Sequence, residues 1–341
     1  MINSIYQLTA PRLIEVTYGE IDLSEGGVLV RPSHLSICRA DQRYYQGARS
    51  KEVLAKKLPM ALIHECMAEV VFDTTGTFRS GDRVICIPNT PTEDDDIIAE
   101  NYLRSSKFRS SGFDGFLQDV VLMAPDRLVK ISDDVNPDVA AFTELISVSM
   151  HIISRFDKTA HSRRNSVGIW GDGNLGFITA VLLDKLYPDL KINVFGRNYD
   201  KLAYFTFADE TMHVDDIPED FMVDHCFECV GGAGCEPAIN QMIDHINPEG
   251  TIALGGVSEN NVPINTRMVL EKGLRLFGSS RSGRDDFEKT VRFLEDHEQS
   301  VHYFETLIGE TFDVRTIPDI HKAFDADSTL HLGKTVMHWN K

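Results

Sequence analysis

What the chain lacks sets the first bounds. No apolar run approaches the length that spans a bilayer. Met1 to Arg12 carries no basic stretch followed by a long apolar one, so no secretory signal is read there and a cytoplasmic location is expected. A disulfide framework is missing. The six cysteines lie at 38, 66, 86, 226, 229 and 235, dispersed over 341 residues, which implies reduced thiols. Net positive charge is missing too. A formal charge of −18 argues against a general role on nucleic acid or a membrane surface. It also means that any anionic ligand must be held by a local basic cluster against an unfavourable overall field. No internal repeat, low-complexity segment or long linker is found.

What is present fits an ordinary soluble globular protein, with 42% hydrophobic and 25% charged residues. The length exceeds one typical core and predicts two domains. From about Leu8 to Ile131 the chain reads as short strands, such as 28–32, 69–72 and 83–87, punctuated by Gly, Pro and Asp. After Pro137 the pattern changes. A helical stripe of Val139, Phe142, Leu145, Ile146 and Met150 predicts one helix over 138–155. Strands over 167–170, 192–195, 223–230, 251–254 and 274–278 then alternate with helices over 175–187, 199–207, 235–246 and 285–295. Such alternation predicts a parallel, doubly wound sheet. The tail, 301–341, returns to strands with one short helix around 317–324. The expected architecture is α/β: a β-rich domain of residues 1–137 and 301–341, and a cofactor domain of residues 138–300.

Gly171-Asp172-Gly173-Asn174-Leu175-Gly176 stands between a predicted strand and a predicted helix. That is the context in which G-x-G-x-x-G binds a dinucleotide. Gly171 permits the tight turn, Gly173 the approach of a pyrophosphate, and Gly176 the packing of helix on strand. The helix start at Asn174 and Leu175 offers N–H groups to the phosphates. NAD-binding units place a carboxylate at the end of the second strand for the ribose 2′-OH. Here Gly196 stands in that place, followed by Arg197, with Lys201 four residues on. Glycine makes room for a 2′-phosphate and arginine can pair with it, so NADPH is favoured over NADH. Gly231 and Gly255 close the next two strands, where backbone can come close to the nicotinamide half. Cys226-x-x-Cys229 has the spacing of a redox or zinc pair, but its apolar strand context marks small core residues.

Cys38, His64, Glu65 and Glu144 together offer a thiolate, an imidazole and carboxylates. Such a set satisfies a catalytic zinc and leaves a position open. Cys38 with Asp41, Ile63-His64-Glu65, Gly81-Asp82-Arg83-Val84, the run 112–119, and Glu144 with Ser147 and His151 carry a resemblance. The chain resembles the zinc-dependent medium-chain dehydrogenase/reductase family over essentially its full length. Within the polyol dehydrogenase branch it is most similar to the ribulose-5-phosphate reductases, which make ribitol 5-phosphate for teichoic acids. The resemblance implies a GroES-like catalytic domain, a Rossmann NADP-binding domain, and Cys38, His64 and a glutamate as zinc ligands. Glu144 is the first choice, with Glu65 exchanging with it or standing behind it.

Three departures from the family pattern matter. Ile63 replaces a glycine, so the backbone there is expected to avoid positive φ. Ala40 stands where relatives carry a proton-relaying hydroxyl, so protonation must use water, Glu65 or another side chain. The stretch 87–112 lacks the four cysteines of a structural zinc site, which implies one zinc per chain.

The implied reaction is NADPH-dependent reduction of D-ribulose 5-phosphate to D-ribitol 5-phosphate, a cytoplasmic step of cell-wall polymer synthesis beside a cytidylyltransferase. Arg39 and Arg43, then Lys107 and Arg109, are the candidates for the substrate phosphate. An NAD-linked sorbitol-type dehydrogenase is the nearest alternative. A non-catalytic dinucleotide-binding protein is a remote one, because the metal set is complete. The apolar segment 275–278 reads as an edge strand and implies a homodimer.

Overall fold

The computed structural model describes residues 1–341. The chain forms two compact units: Met1–Ser147 with Ser282–Lys341, and Val148–Arg281. The divisions therefore fall at 147/148 and 281/282 rather than at 137/138 and 300/301. Packing moves them. The helix Arg284–Asp296 lies on the strand Leu128–Lys130, and the helix Glu298–Glu305 lies on the helix Pro137–Ala141. Both segments thus belong with the first unit. The helix predicted over 138–155 is two helices, Pro137–Ala141 and Thr143–Thr159, because Phe142 leaves helical geometry at φ −105° and ψ 26°.

The main sheet of the first unit runs in the order Leu128–Lys130, Arg83–Cys86, Glu65–Asp73, Val28–Ser36, Lys334–Trp339, Ile308–Val314. Val28–Ser36 pairs antiparallel with Glu65–Asp73 on one side and with Lys334–Trp339 on the other. The chain's last strand is therefore central, and residues 36, 65 and 336 come into register although the sequence separates them widely. The core beneath is apolar and closed, with Tyr45 stacked on Phe324 at 4.3 Å. The helix Ile317–Thr329 starts where Thr316 and Asp319 cap it, the Thr316 Oγ1 donating to Asp319 Oδ2 over 2.7 Å.

The second unit holds six parallel strands in the order Glu210–His213, Lys191–Gly196, Ser166–Trp170, Val223–Glu228, Ile246–Leu254, Arg275–Gly278. The sheet starts at Ser166–Trp170, winds outward one way, then returns to the other side of it. The order reverses between Ser166–Trp170 and Val223–Glu228, and ligands bind beyond the carboxyl ends of strands at such a point. Every residue of Val223–Glu228 and all but the first of Ser166–Trp170 are buried, because both sheet faces are covered. The predicted helix over 199–207 ends at Leu202, and the strand Glu210–His213 and helix Thr266–Glu271 were not legible as elements. All six cysteines are free. Cys226 and Cys229 are buried core thiols, and burial pushes the Cys226 thiol well above its ordinary range. No helix is long and apolar enough to cross a membrane.

Candidate active site

Cys38 lies two residues beyond the strand Val28–Ser36 and opens the helix Arg39–Tyr45. His64 directly precedes the strand Glu65–Asp73, and Glu144 sits in the first turn of Thr143–Thr159. The fold brings ligand atoms of Cys38, His64 and Glu65 within 4.8 Å of one another. Glu144 stands next to them, its Oε2 3.9 Å from His64 Nε2. A soft thiolate, an imidazole and buried carboxylates are the donors that zinc takes, so the residues fit the metal.

Asp41 organises this cluster. Its carboxylate is fully buried and accepts hydrogen bonds from the Ser110 hydroxyl at 2.6 Å, Ile63 N–H at 3.1 Å and Cys38 N–H at 3.3 Å. His64 Nδ1 lies 3.3 Å from Asp41 Oδ2. That contact holds a proton on Nδ1 and leaves Nε2, on the side of Glu144, as the nitrogen on which a metal would replace the proton. Burial by itself would raise the Asp41 pKa, but His64, Ser110 and the Ile63 N–H together hold it below the usual carboxylate range. Burial likewise opposes a charged His64, yet Asp41 and Cys38 outweigh it and hold its pKa well above 6.5.

Lys334 is a residue of the site that the sequence did not reveal. It is buried, and its Nζ lies 2.9 Å from each Glu65 oxygen. Burial disfavours its charge, but Glu65, Cys38 and Asp327 reverse the balance and raise its pKa. Glu65 therefore has its own cation. Glu144 has none so close, and burial pushes its carboxyl up to about 7, against the attraction of His64 and with the repulsion of Glu65 added.

Ile63 overturns one expectation. It was expected to avoid positive φ and instead adopts φ +72°. For a β-branched residue that is a strained conformation. Its surroundings enforce it. Asp41 takes its N–H, and Phe116 N–H donates to its carbonyl over 2.8 Å. Gly115 packs so closely that a Cβ there would lie 2.2 Å from the Ile63 oxygen.

In the second unit, the turn after Ser166–Trp170 behaves as its glycines imply. Gly171 has φ +134°, and a Cβ there would meet the Cys229 backbone at 2.8 Å. A Cβ on Gly176 would strike the Gly171 oxygen at 1.9 Å. A Cβ on Gly173 would meet nothing within 4 Å. Gly173 therefore borders open space at the N-terminus of the helix Asn174–Leu186, which is the cradle that a pyrophosphate requires. The glycines at the other strand ends have local causes too. A Cβ on Gly196 would collide with Asp172, whose Oδ2 accepts Arg197 N–H at 2.8 Å and Asn198 N–H at 2.9 Å. The buried Glu228 accepts N–H bonds from Val230, Gly231 and Gly256 and ties two strand ends together. Gly255 packs on Ile152 and on the Glu228 carbonyl.

Two family models match, an alcohol dehydrogenase GroES-like domain over residues 24–133 and a zinc-binding dehydrogenase domain over residues 202–296. The chain belongs to the zinc-binding dehydrogenases. It is 58% identical to ribulose-5-phosphate reductase of Bacillus spizizenii and 55% identical to ribulose-5-phosphate reductase 1 of Staphylococcus aureus, each across 99% of both chains. Among solved structures, S. aureus TarJ in complex with NADPH superposes with a TM-score of 0.90 at 50% identity, covering 100% of both chains.

The basic candidates of this zinc-binding dehydrogenase part company. Arg39 is exposed on the first turn after Cys38, and Arg43 lies on the next turn, half-buried. Lys107 is exposed on the short strand Lys107–Phe108, whose Phe108 ring lies 5.4 Å from the His64 ring. Arg109 turns inward. Its guanidinium donates to the Asp114 carbonyl at 3.0 Å and stacks near Phe113 and Phe116, and burial lowers its pKa. In the second unit the Arg197 side chain is exposed, Asn198 caps the helix on which Lys201 lies, and that lysine is half-buried.

Proposed function

We propose that this zinc-binding dehydrogenase reduces D-ribulose 5-phosphate to D-ribitol 5-phosphate with NADPH. The observation that carries it is the Cys38–His64–glutamate set, on a chain 58% identical over 99% of its length to a ribulose-5-phosphate reductase. When bound, zinc supplies Lewis-acid polarisation of the C2 carbonyl and NADPH supplies the hydride. Every other task falls to the chain. Cys38, His64 and Glu144 hold the metal. Glu144 is preferred because no lysine or arginine pairs directly with its buried carboxyl, whereas Lys334 already neutralises Glu65. Asp41 keeps the proton on His64 Nδ1 and fixes the ring. Ala40 has no hydroxyl, so water or Glu65 returns the proton to the product oxygen. Gly171, Gly173 and Gly176, with the helix start at Asn174 and Leu175, hold the pyrophosphate. Arg197 and Lys201 meet the 2′-phosphate. Arg39, Arg43 and Lys107 are the cations available to the substrate phosphate.

The exposed outer strand Arg275–Gly278, bonded on one side only, is proposed as the seam of a homodimer. The enzyme is proposed to act in the cytoplasm, supplying a cytidylyl-transfer step on the way to teichoic acid. A steady-state panel tests the substrate reading: ribulose 5-phosphate, xylulose 5-phosphate, fructose 6-phosphate and sorbitol, each with NADPH and NADH. The expected optimum is ribulose 5-phosphate with NADPH. A preference for sorbitol with NADH would overturn it.

A further inference from the structure

We propose that His34, Asp138 and His338 form a second divalent-metal site in the first unit, sharing no residue with the Cys38–His64 centre. Their ligand atoms lie within 4.8 Å of one another. The placement is built by the sheet. His34 and His338 are direct cross-strand partners on Val28–Ser36 and Lys334–Trp339, and their ring centroids are 4.8 Å apart. Asp138 comes from the first turn of Pro137–Ala141, with its Oδ1 2.8 Å from His338 Nε2.

The remaining ring nitrogens are already engaged. His338 Nδ1 lies 3.5 Å from Asp313 Oδ1, and Asp313 also accepts a hydrogen bond from Asn340 at 3.2 Å. His34 Nδ1 lies 3.2 Å from the Ser33 hydroxyl. His34 thus has one nitrogen on a hydroxyl, while His338 faces a carboxylate with each of its nitrogens, Nδ1 toward Asp313 and Nε2 bonded to Asp138; a metal would take the place of the proton between His338 Nε2 and Asp138, with Asp313 orienting the ring from behind. Arg83 is the cation that faces His34. Its guanidinium is spent on the Asp133 and Val135 carbonyls, with the Asp133 carboxylate 3.8 Å away.

Two imidazoles and one carboxylate suit Zn2+ or Ni2+. All three residues are half-buried, which leaves water to complete the coordination. A plain Asp138–His338–Asp313 hydrogen-bond chain is the competing reading. Such a chain has no use for the second imidazole, whereas a metal does. The site would pin the helix Pro137–Ala141 to the sheet, and metal bound there would add to stability by mass action.

The test is zinc stoichiometry in the full-length holoenzyme, by titration calorimetry and by elemental analysis after gel filtration. The wild type is expected to bind two zinc per chain. His34→Ala, His338→Ala and Asp138→Asn should each bind one and keep NADPH-dependent turnover. Asp313→Asn should retain the site with affinity lowered about 10- to 100-fold. Wild-type saturation at one zinc overturns the site without recourse to any variant, and so does a second binding event that survives in both histidine variants.

Discussion

At the scale of single residues, the balance of strain, charge and burial is decided around His64. Lys334 and Glu65 are both buried and pair only with their own neighbourhood. Breaking such a pair leaves an uncompensated charge. Lys334→Met should therefore destabilise the zinc-loaded protein by about 3–5 kcal/mol in urea denaturation. Adding Glu65→Gln should recover most of the loss, because neither charge then remains. Ile63 presents the opposite problem. A glycine there would relieve backbone strain of about 1–3 kcal/mol, but it would forfeit a fully buried side chain, and truncations of that kind cost about 2–5 kcal/mol. Ile63→Gly is expected to lower stability; an increase would mean that strain outweighs packing. Cys38→Ser should lose both the catalytic zinc and turnover, read by metal analysis and assay. The sequence marked Cys38, His64, Glu65 and Glu144 because their chemistry is recognisable one residue at a time. It could not mark Lys334, whose partner is 269 positions away, or foresee that Ile63 would be forced into a glycine's conformation.

At the scale of elements, the strand–turn–helix from Ser166 to Leu186 was legible almost in full. Its signals are local: an apolar run, three glycines and a helical repeat. Its glycines differ in kind, and this can be measured. Gly176→Ala places a Cβ on the Gly171 oxygen and should cost about 3 kcal/mol or more of stability by overpacking. Gly173→Ala meets only open space, so the protein should fold with an unchanged Tm while the KM for NADPH rises. Equal thermal losses in the two variants would contradict the cradle. Less was legible where an element depends on distant partners. The stripe over 138–155 is continuous in sequence, yet Phe142 breaks it. Gly196 was read as room for a phosphate, and the fold adds the Asp172 carboxylate that closes on it.

At the scale of the whole molecule, ligand and proton linkage report on each unit. NADPH at 100 times its Kd should stabilise the folded protein by about 2.7 kcal/mol, visible as a rise in Tm. In the second unit His225 accepts Thr251 N–H at Nδ1 and donates from Nε2 to the Arg163 carbonyl, a neutral imidazole with both nitrogens satisfied. Burial, then the neighbouring His161, lowers its pKa to about 4. The unfolded chain, titrating near 6.5, takes up the proton first. The stability contributed by this histidine is therefore complete above pH 6.5 and falls as the pH drops toward 4. His225→Gln should flatten that slope in pH-dependent unfolding.

The sequence by itself determined the α/β plan, the glycine turn between strand and helix, the donor types of the candidate metal set and the lack of cysteine in 87–112. Each is written in residue types and short spacings. Only the tertiary structure decided where the units divide, that Lys334 neutralises Glu65, that Asp41 orients His64, that Arg109 is withdrawn into the interior, and that His34 meets His338. Those depend on strand order and register. The physical reason is that burial and pairing across a sheet set the charge of a side chain, and neither is encoded in any one stretch of chain.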